Sequence, residues 1–131
     1  MTSPQLRNRY LQDSVNTASP GRLLVMLYDR LVIDLMQGEE ALRTNDRELS
    51  AERITHAQEI LLELRTTLDV EAWAGAAGLA SLYTFVITEL IQANIKRDAD
   101  KVHACRMLIE PLRDAWREAA ALTAAGPAPV G

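Results

Sequence analysis

The sequence predicts an all-α protein: an antiparallel up-down four-helix bundle with a short N-terminal amphipathic helix or cap. Hydrophobic residues make up 48% of the 131 residues and aromatic residues only 5%, which favours helices packed on helices over a β-sandwich. Apolar residues recur at spacings of three and four in several segments. Because the connections between these segments are short, consecutive helices are expected to be antiparallel neighbours.

The first long helix is expected from Pro20 to Arg43. Ser19 can cap the free N–H groups at its start, and proline suits the first helical position because it has no N–H to satisfy. The helix is expected to end at residues 44–46, where Asn45 tolerates the left-handed backbone that closes helices. On a helical wheel its core face is broad and consists of Leu24, Leu27, Tyr28, Leu31, Val32, Leu35 and Met36.

The second helix is expected to begin at a Ser50 cap and to end near Leu68. A connection from Asp69 to about Gly75 follows, because Gly75 and Gly78 weaken helix there. The buried stripe that predicts the second helix consists of Ile54, Ala57, Leu61, Leu64 and Leu68.

The third helix is expected to continue to about Lys96, with a core face centred on Leu79, Leu82, Val86, Leu90 and Ala93. Asp98 offers a cap for a fourth helix. Pro111 lies opposite the apolar stripe of that helix and is predicted to kink it outward without emptying the core. The stripe consists of Val102, Cys105, Ile109, Leu112, Trp116 and Ala119.

Three segments are expected along the chain. Residues 1–18 are predicted to form a mobile N-terminal segment or cap, residues 19–122 the bundle, and residues 123–131 a disordered tail with nothing to bury. The first segment carries four apolar residues at helical spacing, which predict a short amphipathic helix lying against the bundle. They are Leu6, Tyr10, Leu11 and Val15.

Charge and composition argue against several classes of partner. The net charge is −4, and no window collects the Lys/Arg stripe that a phosphate backbone requires, so nucleic acid is not expected. The N-terminus has no apolar signal core, and the apolar runs stop short of the roughly 20 residues that span a bilayer. We therefore expect a cytoplasmic protein without membrane insertion. The single cysteine, Cys105, is interpreted as core filler.

The sequence predicts no enzyme, no cofactor and no metal. Helical bundles house di-metal sites built from glutamates and paired Glu-x-x-His motifs. This chain has two histidines. Glu52 and His56 have the wrong spacing for that motif, and Asp100 with His103 is a single copy off the core face. Neither a Gly-rich phosphate loop nor a nucleophile motif occurs.

Two helices carry more apolar residues than a bundle core uses. In the first helix the surplus stands among the polar residues Arg22, Asp29, Arg30 and Asp34, and in the third it extends the core face to one side. Isolated surface apolar residues are ordinary, but the combined surplus favours a groove for amphipathic segments of a partner. A homodimer interface is the rival hypothesis. The surplus residues are Leu23, Met26, Ile33, Tyr83, Ile87, Ile91, Asn94 and Ile95.

Asn94 fits two roles, since a polar residue in this position either specifies the register of the bundle or hydrogen-bonds the backbone of a ligand. Register is the simpler interpretation. The sequence leaves both open.

The residues also carry a resemblance to a known family. Tyr10, the stretch SVNTASPG at 14–21, Leu23 and the stretch MLYD at 26–29 resemble the FliS family of flagellar export chaperones. Further matches continue in order to about Glu118. They are Ala57-Gln58, Ile60, Glu63-Leu64, Thr67-Leu68-Asp69, Leu82-Tyr83, Ala93-Asn94 with Asp98, and Ala115-Trp116.

The resemblance implies a bundle that holds the C-terminal segment of monomeric flagellin in the cytosol, prevents premature polymerisation and assists delivery to the flagellar type III export apparatus. It implies flagellin and an export gate component as partners. Flagellin would wrap around the bundle through hydrophobic grooves, part of which the N-terminal segment would occupy when flagellin is absent. By position, Tyr10 and Val15 would belong to that segment and residues 23–28 to the binding helix.

The chain also departs from the family pattern. Arg30 stands where a small glycine is usual, and AWAGAAG at 72–78 replaces the usual Gly-Gly-Glu type of connection. Thr84 replaces a common acidic residue, and Pro111 is unusual. These differences concern the surface near Arg30 and the connection around Trp73.

Overall fold

The computed structural model describes residues 19–125, which form four helices and no strand within that range. They are α1 (Pro20–Arg43), α2 (Arg47–Thr67), α3 (Ala76–Lys96) and α4 (Ala99–Ala125). Each helix packs on its two neighbours around a ring, α1 to α2 to α3 to α4 and back to α1. The predicted antiparallel bundle is confirmed, whereas the expected N-terminal helix or cap lies outside the described residues.

The local signals at the start and end of α1 act as predicted. The Ser19 hydroxyl accepts a hydrogen bond from the Arg22 N–H at 3.1 Å, and Pro20 occupies the first turn. At the other end, the Thr44 N–H donates to the Glu40 carbonyl at 2.9 Å. Asn45 then takes a left-handed backbone with φ 60°, so the chain leaves the helix where the sequence predicted.

The predicted start of α2 was wrong. The helix begins at Arg47, and its cap is Asp46, whose carboxylate accepts a hydrogen bond from the Leu49 N–H at 3.1 Å. Ser50 is buried inside the first turn, where its hydroxyl donates to the Arg47 carbonyl at 3.0 Å. Aspartate caps a helix as well as serine does, and Asp46 comes first after the left-handed turn at Asn45.

The connection between α2 and α3 lies where the glycines predicted it, and α3 begins directly after Gly75. Arg97, with φ 55°, closes α3. Asp98 then caps α4, because its carboxylate accepts a hydrogen bond from the Lys101 N–H at 3.1 Å. Both predictions are confirmed.

The fourth helix passes through Pro111, which is exposed, and runs to Ala125, whereas the bundle was expected to end at residue 122. The disordered tail expected from residue 123 stays a prediction. The outward kink at Pro111 stays a prediction.

The core consists of the apolar stripes of all four helices, and most of the predicted core residues lie in it. Leu24, Leu27, Leu82, Leu112 and Trp116 pack against its edge as partly buried residues. The fully buried side chains include Tyr28, Leu31, Leu35, Ile54, Leu61, Val86, Leu90, Val102 and Ile109.

Three helical-wheel assignments were wrong. Met36 was placed in the core face of α1 but is 51% exposed, whereas Asp34 was placed on the polar face but is fully buried. Ala119 was placed in the α4 stripe but is exposed. The reason is tertiary: α2 packs so closely on α1 that a Cβ at Gly38 would lie 3.1 Å from the Ile54 side chain, which turns the Asp34 side of α1 inward.

One described helix, α3, is long and apolar enough to cross a bilayer by length and composition, with a mean hydropathy of 1.3 over its best window. This average does not contradict the expectation about uninterrupted apolar runs, because Thr84, Thr88 and Glu89 interrupt the apolar residues of α3. A third of that window is buried in the bundle, and Leu79, Val86 and Leu90 belong to the core. A core helix of a bundle passes the same test, so the finding identifies α3 as the most apolar helix.

Candidate functional site

An apolar cavity of about 570 Å³ opens where α1 and α3 begin and where α2 and α4 approach their ends. Glu63 and Asp69 are the charged residues on its wall, and no described basic side chain lines it. This volume falls within the range typical of ligand pockets. The wall consists of Pro20, Leu23, Leu24, Leu27, Glu63, Leu64, Thr67, Leu68, Asp69, Ala72, Trp73, Leu79, Tyr83 and Trp116.

Two buried tyrosines and a tryptophan lie at the inner side of the cavity. The hydroxyl groups of Tyr28 and Tyr83 form a hydrogen bond of 2.5 Å, and the Trp116 ring meets Tyr28 edge-on with centroids 6.4 Å apart. Burial raises the pKa of both phenols, and the Tyr28 hydroxyl raises that of Tyr83 further. Both hydroxyls are therefore neutral around pH 7, and their role is structural.

Trp73, in the connection before α3, stands at the mouth of the cavity. Its side chain is 49% exposed, and its ring meets Trp116 edge-on at 81° with centroids 6.5 Å apart. The turn that carries it is held by Asp69, whose carboxylate accepts a hydrogen bond from the Glu71 N–H at 3.0 Å. A short connection, held by this hydrogen bond, thus places an aromatic ring at the opening of the cavity.

The residues predicted to form a groove on α1 lie in three different environments. Leu23 lines the apolar cavity. Met26, 55% exposed, lines a shallower groove between α1 and α4 that also contains Val25 and Arg117. Ile33 is 41% exposed on the outer side of α1 and lines none of the described cavities.

On α3 the predicted residues are divided in the same way. Tyr83 lines the cavity, but it is only 1% exposed. Ile87 packs half-buried against the core, Asn94 is half-buried, and Ile91 is 44% exposed. The structure therefore brings Leu23 and Tyr83 together in one cavity. The predicted N-terminal residues Leu6, Tyr10, Leu11 and Val15 lie outside the described residues.

Sequence reasoning missed several residues of the cavity wall. Leu24, Leu27 and Leu68 were assigned to core stripes, yet they also face this space. Trp73 was not assigned to any site. Its signal in the sequence was a large aromatic residue inside a glycine-containing connection, where an exposed indole has no packing purpose of its own.

Ion pairs tie α1 to α2 through the buried carboxylate of Asp34. Its oxygens lie 3.3 Å from Arg30 Nη2 and 3.7 Å from Arg53 Nη1, and His56 Nδ1 forms a hydrogen bond with it. Arg30 therefore pairs with Asp34 one helical turn further along α1. Because a buried charge needs partners, this cluster explains how Asp34 is tolerated between the helices.

A second ion-pair cluster ties α1 to α4 through Glu39. Burial alone would raise the pKa of Glu39, but hydrogen bonds from Arg43, Arg106 and His103 outweigh it and hold that pKa below its usual value. Among residues 19–125, no three His, Cys, Asp or Glu side chains come together as a metal-ion site. His56 and His103 each form a hydrogen bond with the carboxylate at the centre of one cluster, Asp34 and Glu39 respectively.

The single cysteine has the environment expected of a core residue. Cys105 is 2% exposed, and burial raises its pKa to about 12, with a further contribution from the Glu89 charge. A thiol with such a pKa remains protonated and unreactive near neutral pH. The interpretation of Cys105 as core filler is confirmed.

The sequence comparisons decide the family. A family model described as "Flagellar protein FliS" matches residues 2–123. The chain belongs to the FliS family. The flagellar secretion chaperone FliS of Bacillus subtilis is 34% identical over 110 residues, covering 84% of this chain and 82% of that protein. The corresponding Escherichia coli protein is 27% identical, covering 82% and 81%.

A solved structure agrees with the fold. A bacterial flagellar chaperone superposes with a TM-score of 0.72 at 23% identity, covering 88% of this chain and 95% of that chain. FliS is a family of flagellar secretion chaperones and not of enzymes. The resemblance seen in the residues is thereby confirmed, and this FliS-family chain is a flagellar export chaperone.

Proposed function

We propose that this chain binds the C-terminal segment of monomeric flagellin in the cytosol, prevents its premature polymerisation and assists its delivery to an export gate component of the flagellar type III apparatus. Membership of the FliS family supports the proposal. The structural observation that carries it is the open apolar cavity lined by Leu23, Trp73 and Trp116. Such a space suits apolar side chains of a client segment.

The energetics favour a client with several anchors. Each apolar side chain that leaves water contributes roughly 1.5 to 3 kcal/mol, but ordering a disordered segment costs about 2 to 5 kcal/mol or more of the gross interaction energy. One cavity therefore supports only part of the affinity that a stable complex requires. Exposed apolar residues outside the cavity, such as Met26 and Ile91, supply further contact surface for the same client.

The positions of these residues support an extended client. Helices α1 and α3 are diagonal in the ring, and their backbones do not approach each other closely, so their outer faces point to different sides of the bundle. We propose that flagellin contacts Leu23, Met26 and Ile33 along α1. On α3 the proposed contacts are Tyr83, which lines the same cavity as Leu23, and Ile87, Ile91 and Asn94, which a client reaches only by passing around the bundle.

The decisive experiment is co-purification of the tagged chain with flagellin from the same organism. Full-length flagellin is expected to be recovered in a one-to-one complex, and flagellin without its C-terminal segment is expected to be lost. Calorimetry should give a negative heat-capacity change, because apolar surface is buried while the client folds. Equal recovery of the truncated flagellin would contradict the proposal.

We call the residues proposed to contact flagellin on α1 and α3 the client surface. We further propose that residues 1–18 cover part of this surface when flagellin is absent, through Leu6, Tyr10, Leu11 and Val15. Hydrogen exchange of residues 5–16 tests this directly. Flagellin should lower their protection, and Tyr10→Ala should leave a competing segment in place while removing one aromatic anchor. Protection that flagellin leaves unchanged would make the segment a fixed cap.

A homo-oligomeric bundle is the second candidate function, and the outer face of α3 favours it. The exposed residues of α3 between positions 77 and 95 carry no charge, and they include Phe85, Ile91 and Ile95. Two such faces can pack without like-charge repulsion. Sedimentation of the purified chain with and without flagellin separates the two candidate functions. A stable dimer that does not bind flagellin fits only the homo-oligomeric bundle.

A further inference from the structure

We propose that Trp73 is a client-binding residue of this chain: its indole forms the outer wall of the cavity and packs on an apolar side chain of the bound flagellin segment. The inference rests on the proposed function. It assigns a contact to the connection 68–75, where this chain departs from the usual family sequence and where the resemblance assigns no binding residue.

The placement of the ring carries the first step of the argument. Trp73 lines the same space as Leu23 and Leu64, so α1, the end of α2 and the connection form three walls of one cavity. Trp116 packs against the indole in a T-shaped arrangement, while Trp73 remains 49% exposed. Tryptophan is one of the residue types that most often form binding hot spots, once a partner removes them from water.

Gly75 provides the second step, because it makes room for the ring. A Cβ at Gly75 would lie 2.0 Å from Trp73 Cζ3 and 2.8 Å from Cε3. No side chain is tolerated at position 75 while the indole keeps this place. The backbone of Gly75 is right-handed helical, with φ −84° and ψ −7°, so alanine fits the backbone and conflicts only with the ring.

This relationship offers two independent ways to disturb the wall. Trp73→Ala removes the indole, whereas Gly75→Ala keeps the indole and displaces it from the cavity mouth. If the client packs on the indole in its present position, each variant weakens binding. The double variant then weakens it no further, because both changes remove the same contact. Val70→Ala is the matched control, since Val70 lies in the same connection and is also 49% exposed but does not line the cavity.

The experiment is calorimetric titration of the full chain and these variants with a synthetic peptide of the C-terminal segment of the organism's own flagellin. We expect Trp73→Ala and Gly75→Ala each to lower the affinity about tenfold, as truncation of an aromatic anchor does. The double variant should match the single variants, and Val70→Ala should bind like the wild type. Thermal unfolding of each variant confirms that it is folded.

A fluorescence measurement tests the contact without removing it. Trp73 and Trp116 are the two tryptophans of the chain, so Trp116→Phe leaves Trp73 as the only indole. Addition of the peptide should shift its emission to shorter wavelengths, because the exposed ring loses water. Unchanged emission while the peptide binds would overturn the inference.

The outcomes also separate this inference from the function on which it rests. Suppose that the wild type binds the peptide and that either Trp73→Ala or Gly75→Ala binds it with an affinity within about twofold of the wild-type value, which is the usual error of additivity. Trp73 is then not a client-binding residue. The proposed function then stands alone. If the wild type fails to bind the peptide and the full-length flagellin, both proposals are overturned.

Discussion

The hydroxyl groups of Tyr28 and Tyr83 form a hydrogen bond of 2.5 Å that joins α1 to α3 across the diagonal of the bundle. The backbones of these two helices do not approach each other closely. Tyr28 is completely buried and Tyr83 is 1% exposed, so water cannot replace either partner. Tyr83 lines the apolar cavity, and Tyr28 lies behind it in the core.

Removing both hydroxyls should cost less stability than the sum of the two single removals. Tyr83→Phe leaves the Tyr28 hydroxyl buried without this partner, which is expected to lower the free energy of unfolding by about 1 to 3 kcal/mol. The variant with both tyrosines replaced by phenylalanine should be more stable than the sum of the single effects predicts. Urea unfolding measures all three proteins. Additive single effects would show that the two hydroxyls are not coupled.

Asp34→Asn should destabilise the bundle, because Arg30, Arg53 and His56 lose the carboxylate that pairs with them. We expect a loss of about 1 to 3 kcal/mol, lower than for a fully buried pair because the cations are partly exposed to water. Asp29→Asn is the control. Asp29 pairs with Arg117 at 2.7 Å on the surface, and such pairs contribute about 0 to 1 kcal/mol. Equal losses in urea unfolding would contradict the assignment.

Cys105 should make stability depend on alkaline pH. Its pKa is raised from 9.0 to about 12 by burial, so the unfolded thiol releases its proton first. The contribution of the neutral thiol is fully present below the unfolded pKa and is lost as the pH rises toward the folded pKa. The free energy of unfolding should therefore fall between pH 9 and about 12 more steeply in the wild type than in Cys105→Val. Parallel pH profiles would rule this out.

Charges on the client surface should weaken flagellin binding without unfolding the chain. Met26 and Ile91 are 55% and 44% exposed, so Met26→Asp and Ile91→Asp should keep the wild-type melting temperature. A carboxylate that loses water in the complex should cost a few kcal/mol of affinity, roughly 2 or more. Met107→Asp, at an α4 position 43% exposed, is the control. A variant that melts early would show that its residue belongs to the core.

Ile87 is a poorer probe of the client surface than its place on the helical wheel indicates. It packs half-buried against the core, so Ile87→Asp combines a loss of stability with a loss of contact. A helical wheel gives the direction of a side chain on its own helix. It does not show how far the neighbouring helices cover that side chain.

Local signals in the sequence predicted most of the helix ends. Ser19 with Pro20, Asn45 and Asp98 each act through atoms within a few residues, and the structure has them in the predicted roles. The predicted start of α2 was wrong because capping signals are only local. Asp46 and Ser50 are both good caps, and a choice between them depends on where the preceding turn ends.

The candidate site could be predicted only in part. The surplus of apolar residues on α1 and α3 is visible in the sequence, and Leu23 and Tyr83 do line one cavity. Their neighbours there, Leu68 and Trp73, come from other segments and meet them only when the chain folds. A helical wheel treats each helix alone, so it assigned Leu68 to the core. It could not assign Trp73, which lies in a connection between helices.

The sequence by itself determined the helix content and the ring of four antiparallel helices, because spacing and capping act over short distances along the chain. It also determined the family and the absence of an enzyme motif, because both are read directly from the order of residues. Tertiary structure alone decided which apolar residues are covered. It buried Asp34, exposed Met36 and set Trp73 over Gly75 at the mouth of the cavity. Burial depends on how closely neighbouring segments approach, and that distance is a property of the packed bundle.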